Sequence, residues 1–443
     1  AEKIISPGVF TNEIDQTFLP SAVADIGAAI VGPTLKGPAG VPTVVTSFSD
    51  FQAKFGDVTK NGSNGDSVQF LTSHAAEEYL KHSNTLTVVR ILDGTFGPAS
   101  ATVDTGSGAD DPNGGASAFT LETLADGAIM NNADATVTTN NIIVNSGSKH
   151  NIRYEISNRN VNKGTFTLLI RAGNDNIKRK QTLETFTDLN LDPNSNNYIA
   201  KAIGDQRFSV RTDENSNPFL QLTGSYPNKS RFVRVSTVTS KTSDYLDENG
   251  TIRASGASGS LPALGSGSSH GGFSGGLNGV SGFDATGGRV GSAADATYNF
   301  YENIASTGTQ GYVLSTGADG TNAYVQALDL LKNQDEFDIN LIMMPGVIDS
   351  LHPTITSKAI DVCESRGDCF AIIDPVEYNK NVVNATTQAE AKETNFAAMY
   401  WPWIKVPDSQ IAGTQRWVPP STVMGGIYAF NDRVAHPWFA PAG

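Results

Sequence analysis

The stretch INLIMMPGVIDSLHPTITSKAIDVCESRGDCFAIIDP, residues 339–375, contains two apolar runs on either side of one helical pattern. Ile339–Met344 predicts a strand, Thr354–Arg366 predicts a helix, and Cys369–Asp374 predicts a second strand. A proline follows each apolar run, which suits the end of a strand. Successive strand–helix units indicate a parallel sheet with right-handed crossovers. The stretch therefore predicts an α/β domain.

The same alternation of strand and helix occurs before residue 96. Its two strand candidates are both apolar, as expected for strands buried on two faces. Gly56 ends the first helical pattern, with Ser49 or Asp50 near its N-cap. We expect these elements to join the sheet formed by residues 339–374. The predicted elements are Ala28–Pro33, Phe48–Phe55, Ser67–His82 and Leu86–Leu92, together with a helix over Asn322–Asn333.

The amino-acid composition changes at residue 96. Residues 96–245 are rich in Thr, Asn, Ser and Gly and contain short β-like runs between turns. Residues 246–310 are dominated by Gly and Ser and predict a flexible connector. The fold class expected is therefore α+β and multidomain, with a discontinuous α/β core domain interrupted by a mainly β insertion. The β-like runs are Asn141–Val144, Ile152–Ile156 and Phe166–Ile170.

The first twenty residues have the character of an arm. Ser6 and Pro7 punctuate the start, and Val9, Phe10 and Ile14 belong to one short extended segment. A single strand leaves its backbone groups unpaired, so it must join a sheet of its own chain or of a neighbour. Val9, Phe10 and Ile14 are the candidate residues for this pairing, which is a subunit interaction if the sheet belongs to a neighbour.

Composition argues against a nucleic-acid or membrane protein. The 443 residues include 31 Lys and Arg against 45 Asp and Glu, a net charge of −14. Phosphate backbones attract clustered basic side chains, which an acidic chain lacks. The densest basic run, Lys178–Lys180, is followed by Glu184 and Asp188 and is interpreted as a solvated hairpin edge. No apolar run approaches the ~20 residues that cross a bilayer.

Motifs of catalysis are weak throughout. No phosphate-binding loop of the Gly-Lys-Ser or Gly-Lys-Thr type occurs, and we expect no cofactor and no metal. Asp374 ends an apolar strand as a metal-binding aspartate of a nucleotide hydrolase does, yet a strand-end turn residue is the better interpretation. Cys363 and Cys369 have no nearby histidine for zinc, and we interpret them as one core and one peripheral thiol. We expect no enzyme activity.

The C-terminal stretch carries the most specific pattern. Tyr400–Trp403, Val418–Ser421, Gly426–Asp432 and Pro441–Gly443 follow one another in this order. The series resembles the tail sheath proteins of contractile, myovirus-type phages, which contain "YPW", "VPPS", "GxYAxxD" and "PAG" segments in the same order. The resemblance assigns structural roles to the motif residues, namely Trp401, Pro402, Trp403, Pro419, Pro420, Tyr428, Asp432, Pro441 and Gly443.

Other segments are similar to the same family. Ser6–Val9 looks like its opening, Leu86–Arg90 like its "LxVVR" strand, and Cys363–Pro375 like its "CE…D…FAIlDpP" element. The similarity covers residues 1–95 and 311–443 well and residues 150–205 loosely. It implies four parts, written with the boundaries of this chain: an arm (1–20), an α/β sheath domain (21–95 plus 311–443), a β-rich outer insertion (96–245) and a connector (246–310).

The resemblance implies a structural subunit of a contractile tail sheath. Such a subunit polymerises helically around a tail tube and contracts on stored conformational energy, driving the tube through the host envelope for genome ejection. Its partners would be copies of itself, the tail tube protein and the baseplate. It would be found in the virion tail, and in the host cytoplasm during assembly.

Three alternatives stay open at this point. The sheath of a phage-like bacteriocin or injection machine would have much the same sequence. A bacterial β-rich surface protein would explain the Thr, Asn and Gly content, and a hydrolase would use Asp374. Sheath sequences also continue past the "PAG" motif, whereas this chain ends at Gly443. We therefore expect a fragment without the C-terminal domain, largely monomeric by itself.

Overall fold

The computed structural model describes residues 27–61, 66–105, 116–132, 147–176, 178–253, 260–264, 271–279, 304–407, 413, 415–435 and 439–440. Several sequence predictions lie outside these residues: the arm with Val9, Phe10 and Ile14, the strand at Asn141–Val144, and the motif residues Pro441 and Gly443.

The first part of the chain alternates strands and helices, as predicted. Its elements are β1 (Gly27–Gly32), β2 (Thr43–Val45), α1 (Phe48–Phe55), β3 (Thr59–Asn61), β4 (Asp66–Val68), α2 (Leu71–Leu80) and β5 (Leu86–Arg90).

The middle part is mainly β. It contains β6 (Phe96–Asp104), β7 (Ser117–Asp126), β8 (Ile152–Asn160), β9 (Thr165–Ala172), β10 (Thr182–Leu189), the short helix α3 (Ile199–Ile203), β11 (Arg207–Thr212), β12 (Pro218–Thr223), β13 (Val233–Val238) and β14 (Leu277–Asn278).

Alternation resumes in the last part. It contains β15 (Gly308–Thr309), β16 (Tyr312–Val313), α4 (Asp319–Leu331), β17 (Ile339–Ile348), α5 (Pro353–Arg366), β18 (Phe370–Asp374), α6 (Val382–Glu390), β19 (Ala397–Met399), β20 (Ile404–Pro407), β21 (Gln415–Val418) and α7 (Ser421–Val434).

One six-stranded sheet unites the first and last parts of the chain, in the order β19-β18-β17-β1-β5-β2. All neighbours pair in parallel except β2, which runs antiparallel to β5. Strand β1 lies between β5 and β17, so strands from both ends of the sequence meet at the centre of the sheet. The predicted fold class, α+β with an α/β core interrupted by a β-rich insertion, is therefore confirmed.

Helices cover both faces of this sheet. Ala28 and Ile30 of β1 pack with residues of α1, α2 and α7, whereas Ala29 and Val31 pack into the core cluster that contains α4 and α5. Neighbouring residues of a strand point to opposite faces, so the alternating assignment follows from strand geometry. Burial on both faces explains why β1 and β5 are apolar along their length.

The insertion forms separate small sheets. Strands β13, β7, β6 and β14 form one sheet, β10, β9 and β8 form a second, and β11 pairs with β12 in a two-stranded ribbon. Phe119 of β7 and Phe166 of β9 stack with their ring centroids 5.8 Å apart, which joins the first two sheets through a buried aromatic contact. These two rings belong to the same core cluster as Ala29 and Val31 of β1, so the insertion packs on the α/β domain.

A buried arginine connects the α/β sheet to the insertion. Arg90, at the end of β5, donates hydrogen bonds to the carbonyl oxygens of Gly37 (2.6 Å) and Asp126 (2.8 Å). The Asp126 carboxylate accepts from the backbone N–H of Ala39 (3.0 Å) and from Nη2 of Arg207 (3.0 Å). Hydrogen bonds to charged groups are the strong ones in a low-dielectric interior. The two regions are therefore held together by a saturated network.

Several local predictions were wrong in detail. The helix expected over Ser67–His82 begins only at Leu71, because Asp66–Val68 belongs to β4. Helix α1 has the expected bounds, but its N-cap is Ser47, whose hydroxyl accepts from the N–H of Asp50 (3.2 Å). Ser47 was missed because Ser, Ser and Asp at 47, 49 and 50 are all good capping residues.

The Gly/Ser-rich connector is also more ordered than its composition suggests where the structure describes it. Phe273 is fully buried and packs edge-to-face on Tyr154 (centroids 6.1 Å apart). Leu277–Asn278 forms β14 and pairs with β6. One aromatic side chain among small residues is enough to fix such a segment, since its burial contributes about 2–3 kcal/mol.

Candidate functional site

The carboxyl edge of the parallel sheet is where α/β enzymes usually bind their ligands. Here Asp374, the last residue of β18, is fully buried at this edge. Its two carboxylate oxygens accept from the N–H (2.9 Å) and the hydroxyl (2.6 Å) of Ser421, the first residue of α7. A carboxylate at a helix N-terminus satisfies an unpaired N–H and complements the helix dipole. Asp374 therefore joins the sheet to α7.

A second helix N-terminus at the same edge is filled in a similar way. The amide oxygen of Gln310 accepts from the N–H of Leu71 (2.9 Å), the first residue of α2. Its Nε2 donates to the carbonyl oxygen of Pro345 (3.0 Å) in β17. Helix N-termini attract anionic ligands when they are open. At α2 and α7 the chain supplies its own side chains instead.

The motif tryptophans have different environments. Trp403 is buried, and its indole N–H donates to the carbonyl oxygen of Val376 (3.0 Å) just beyond β18. Tyr378 lies between Trp403 and Trp417, with ring centroids 5.9 and 5.2 Å away. Trp401 is exposed and donates to the carbonyl oxygen of Lys380 (3.1 Å). The peptide bond that joins Trp401 to Pro402 is cis.

The remaining described motif residues belong to α7 or lead into it. Pro419 and Pro420 precede its first residue, and the Tyr428 hydroxyl is hydrogen-bonded to the hydroxyl of Tyr400. Asp432 is exposed. The structure thus brings Pro419, Pro420 and Tyr428 to α7, whereas Asp432 lies on its exposed side near the C-terminal end.

Two glycines let α7 approach its neighbours closely. A Cβ added to Gly425 would lie 2.1 Å from Sδ of Met343 in β17. A Cβ added to Gly426 would lie 2.7 Å from the backbone oxygen of Glu78 in α2. Together with buried Ala429, these residues form the inner face of the helix. Close backbone approach therefore explains the paired glycines of the motif.

The outer face of α7 carries an apolar stripe that sequence reasoning missed. Ile427, Phe430 and Val434 are 40%, 45% and 63% exposed, at i, i+3 and i+7 of the helix. The Phe430 ring contacts the His82 ring edge-to-face (centroids 5.0 Å apart), and nearby Phe439 is 55% exposed. The i, i+3, i+7 spacing is visible in the sequence, but such a spacing normally marks the side of a helix that faces the core. Only the packing of Gly425 and Gly426 shows that this side faces outward. We call these four apolar residues the helix stripe.

A second exposed apolar surface lies beside β2, the edge strand of the sheet. The β11–β12 ribbon packs against α4, and between the ribbon and strand β2 lies a cleft of about 690 Å³. Val44, Phe96 and Phe208 are 51%, 39% and 49% exposed on its walls. Exposed apolar groups clustered in this way commonly mark interaction sites. We call this the ribbon cleft.

The comparisons find sheath proteins among solved structures. The sheath tail protein of Desulfitobacterium hafniense matches over 96% of this chain and 62% of its own, with 14% identity and a TM-score of 0.37. The sheath tail protein Lin1278 of Listeria innocua matches over 91% and 56%, with 12% identity and a TM-score of 0.42. The chain therefore spans about three fifths of the length of these two proteins.

A third similar structure is the helical sheath of the anti-feeding prophage in its contracted state. It matches over 28% of this chain and 31% of its own, with 22% identity and a TM-score of 0.19. A scan of family models and a search of curated proteins give no match. The structural neighbours are thus two sheath tail proteins and one prophage helical sheath, all at low identity.

The described part of the chain was also compared with the requirements of a metal site and of a membrane-spanning helix. There, no group of three or more His, Cys, Asp or Glu side chains is placed to hold a metal ion. Among the helices of the same residues, none is long and apolar enough to cross a membrane.

The buried Asp374 predicts a pH dependence of stability. Burial raises its pKa to about 7, although the hydrogen bonds from Ser421 oppose the shift. In the unfolded chain the carboxyl has its ordinary pKa near ~3.9. Its stabilising contribution is therefore complete below pH ~4 and is lost as the pH rises through about 7.

We expect the free energy of unfolding to fall by about 2 kcal/mol more between pH 5 and 7 in the wild type than in Asp374→Asn. Urea denaturation at several pH values measures this difference, and Asp374→Asn is the control because its amide does not titrate. Parallel pH profiles of the two proteins would contradict the assignment.

Proposed function

We propose that this chain is a structural subunit of a contractile tail sheath. The observation that carries the proposal is the pair of exposed apolar surfaces, the helix stripe on α7 and the ribbon cleft beside the edge strand β2, which are formed by different residues. A subunit whose two contact surfaces differ associates head to tail, and the product is a ring or an open helical polymer. A sheath is such a polymer.

The carboxyl edge of the sheet supports a role without catalysis. Asp374 and Gln310 already satisfy the N-termini of α7 and α2, at the position where an α/β enzyme would bind a substrate. The same contacts tie α7 rigidly to the sheet. In this proposal the subunit acts as a body that other copies contact and rotate, and Asp374 is a structural residue.

The contraction mechanism belongs to the same proposal. Subunits assemble in a metastable lattice around a tail tube, and rigid-body rotation into a tighter lattice releases the stored free energy. The network of Arg90 and Asp126 suits this motion, because it moves the insertion and the sheet as one unit. The tail tube, the baseplate, the virion tail and genome ejection are all part of this proposal.

The parts of the chain keep their proposed roles. The arm, with Val9, Phe10 and Ile14, would join one subunit to another by adding a strand to a neighbouring sheet. Residues 21–95 with 311–443 form the sheath domain, residues 96–245 the outer insertion and residues 246–310 the connector.

A substitution on the helix stripe tests the proposal. We propose that a second copy of this chain covers the stripe, since its four apolar side chains stay 40–63% exposed among the described residues. The double substitution Ile427→Glu and Phe430→Glu should abolish polymerisation of the full-length protein and leave the subunit folded. Thr386→Glu, on the exposed face of α6, is the matched control and should polymerise normally.

Sedimentation velocity measures the polymer and circular dichroism the fold. Polymers of normal length formed by a folded double variant would contradict the role of the stripe. Loss of polymers in both the double variant and Thr386→Glu would show that added negative charge, and not the stripe, is responsible.

A further inference from the structure

The two cysteines of the chain are in direct contact. Cys363 lies in the last turn of α5 and Cys369 immediately precedes β18, and both are free thiols. Their sulfur atoms are 3.1 Å apart, and the side chains are 0% and 4% exposed. The sequence interpretation of one core and one peripheral thiol was therefore wrong. It was wrong because the turn at Gly367, with φ +74°, folds the chain back on itself.

The arginine between the cysteines is held in place beside them. Arg366 donates to the carbonyl oxygens of Leu331 (2.6 Å) and Phe337 (2.9 Å) and forms an ion pair with Asp368 (2.8 Å). Its guanidinium contributes positive charge close to both sulfurs. A neighbouring cation favours the thiolate, which is the reactive form of cysteine.

We propose that Cys363 and Cys369 form an oxidation site, at which a hydroperoxide joins the two sulfurs in an intrachain disulfide. The sulfurs need to approach by only about 1 Å to reach the bond length of ~2.05 Å. The bond would link the end of α5 to the start of β18 across the Gly367 turn. The chemistry of this site does not depend on the proposed function.

We assign the first attack to Cys369, which is 4% exposed whereas Cys363 is 0% exposed. The hydrogen bond with Cys363 lowers the pKa of Cys369, and the Arg366 guanidinium lowers it further. The same hydrogen bond, together with burial, raises the pKa of Cys363. One thiolate beside one thiol is the arrangement that thiol–disulfide chemistry requires.

The oxidation proceeds in two balanced steps. The Cys369 thiolate attacks one oxygen of hydrogen peroxide, and the O–O bond breaks. Hydroxide departs, and Cys369 becomes a sulfenic acid. The sulfur of Cys363 then attacks the sulfur of Cys369 and gives up its proton, the S–O bond breaks, and hydroxide leaves again. The released protons convert both hydroxides to water. Two thiols and one peroxide thus become one disulfide and two waters.

The turn between the two cysteines lies at the protein surface. The side chain of Asp368 is half exposed, so the buried sulfurs lie directly beneath a surface turn. Intracellular reductants keep such thiols reduced, whereas an oxidising medium favours the disulfide. We therefore expect a reduced site in the cell and an oxidised site after release from it.

Peptide mapping after oxidation tests the proposal. The reduced chain is treated with hydrogen peroxide until a dithiothreitol standard in the same buffer is fully oxidised, and then it is alkylated in denaturant. We expect one internally bridged peptide, lighter by two hydrogen atoms, and no alkylation of either cysteine. Dithiothreitol should restore both alkylations.

Thermal unfolding provides the second readout. The oxidised wild type should melt several degrees above the reduced protein, because the bond constrains the unfolded chain. Cys363→Ser and Cys369→Ser should show no such rise. Three results of the peptide mapping would each overturn the proposal: full alkylation of both cysteines after oxidation, sulfinic acids without a bridge, or bridges only between chains. The mapping uses the wild type, so it does not require the variants to fold.

Discussion

Replacing Arg171 with methionine should lower the free energy of unfolding by about 3–5 kcal/mol, because it removes the cation that two buried carboxylates share. Arg171 is fully buried in β9. It forms paired hydrogen bonds with the Asp175 carboxylate (2.7 and 2.9 Å) and a third with Glu155 (2.9 Å). Removing one partner of a buried ion pair costs far more than the pair contributes.

Urea denaturation and limited proteolysis measure this effect. We expect new cleavage sites in residues 150–190 of Arg171→Met, with the six-stranded sheet still protected. The control is Lys180→Met, which removes a 37% exposed partner of Glu155 and should cost less than about 1 kcal/mol. Equal stability of wild type and Arg171→Met would contradict the network.

Replacing Gly426 with leucine should lower the free energy of unfolding of the α/β domain by about 3 kcal/mol, although leucine forms helix better than glycine. A Cβ at this position would lie 2.7 Å from the carbonyl oxygen of Glu78 and 2.9 Å from its carbonyl carbon. Both are backbone atoms of α2, so no rotamer change relieves the overlap. The two helices must separate, and the contacts of Ala429 and Met343 weaken with them.

Gly97→Leu is the matched control for this substitution. No atom lies within 4 Å of a Cβ added at Gly97, so leucine there should change stability by less than about 1 kcal/mol. Thermal and urea denaturation of the two variants provide the comparison. If Gly426→Leu proved as stable as Gly97→Leu, helix α7 would not pack on α2 as the structure has it.

The sequence was sufficient to predict the α/β core. Burial on both faces makes β1, β5, β17 and β18 continuous apolar runs, and their helices carry clear amphipathic patterns. The start of α2 was misplaced because its N-terminus is set by a distant side chain, Gln310, and not by a local cap. Contacts between residues 239 positions apart leave no local pattern.

The functional surfaces were harder to predict than the fold. The motif residues of α7 were found through a resemblance, yet their physical roles depend on contacts that the sequence does not display. The bond between Asp374 and Ser421 spans 47 residues, and the paired glycines acquire meaning only against α2 and β17. Because the glycines form the inner face of α7, Ile427 and Phe430 face outward. An apolar helical stripe usually faces the core, so the sequence pattern alone points to the wrong side.

Negative-stain electron microscopy of the protein, purified together with the proposed tail tube protein, is the most direct test of the central claim. We expect hollow helical cylinders around the tube, and a shorter, wider form after a contraction trigger such as mild denaturant. Folded protein that forms no cylinder at high concentration in the presence of the tube would contradict the claim that this molecule works by polymerising with copies of itself.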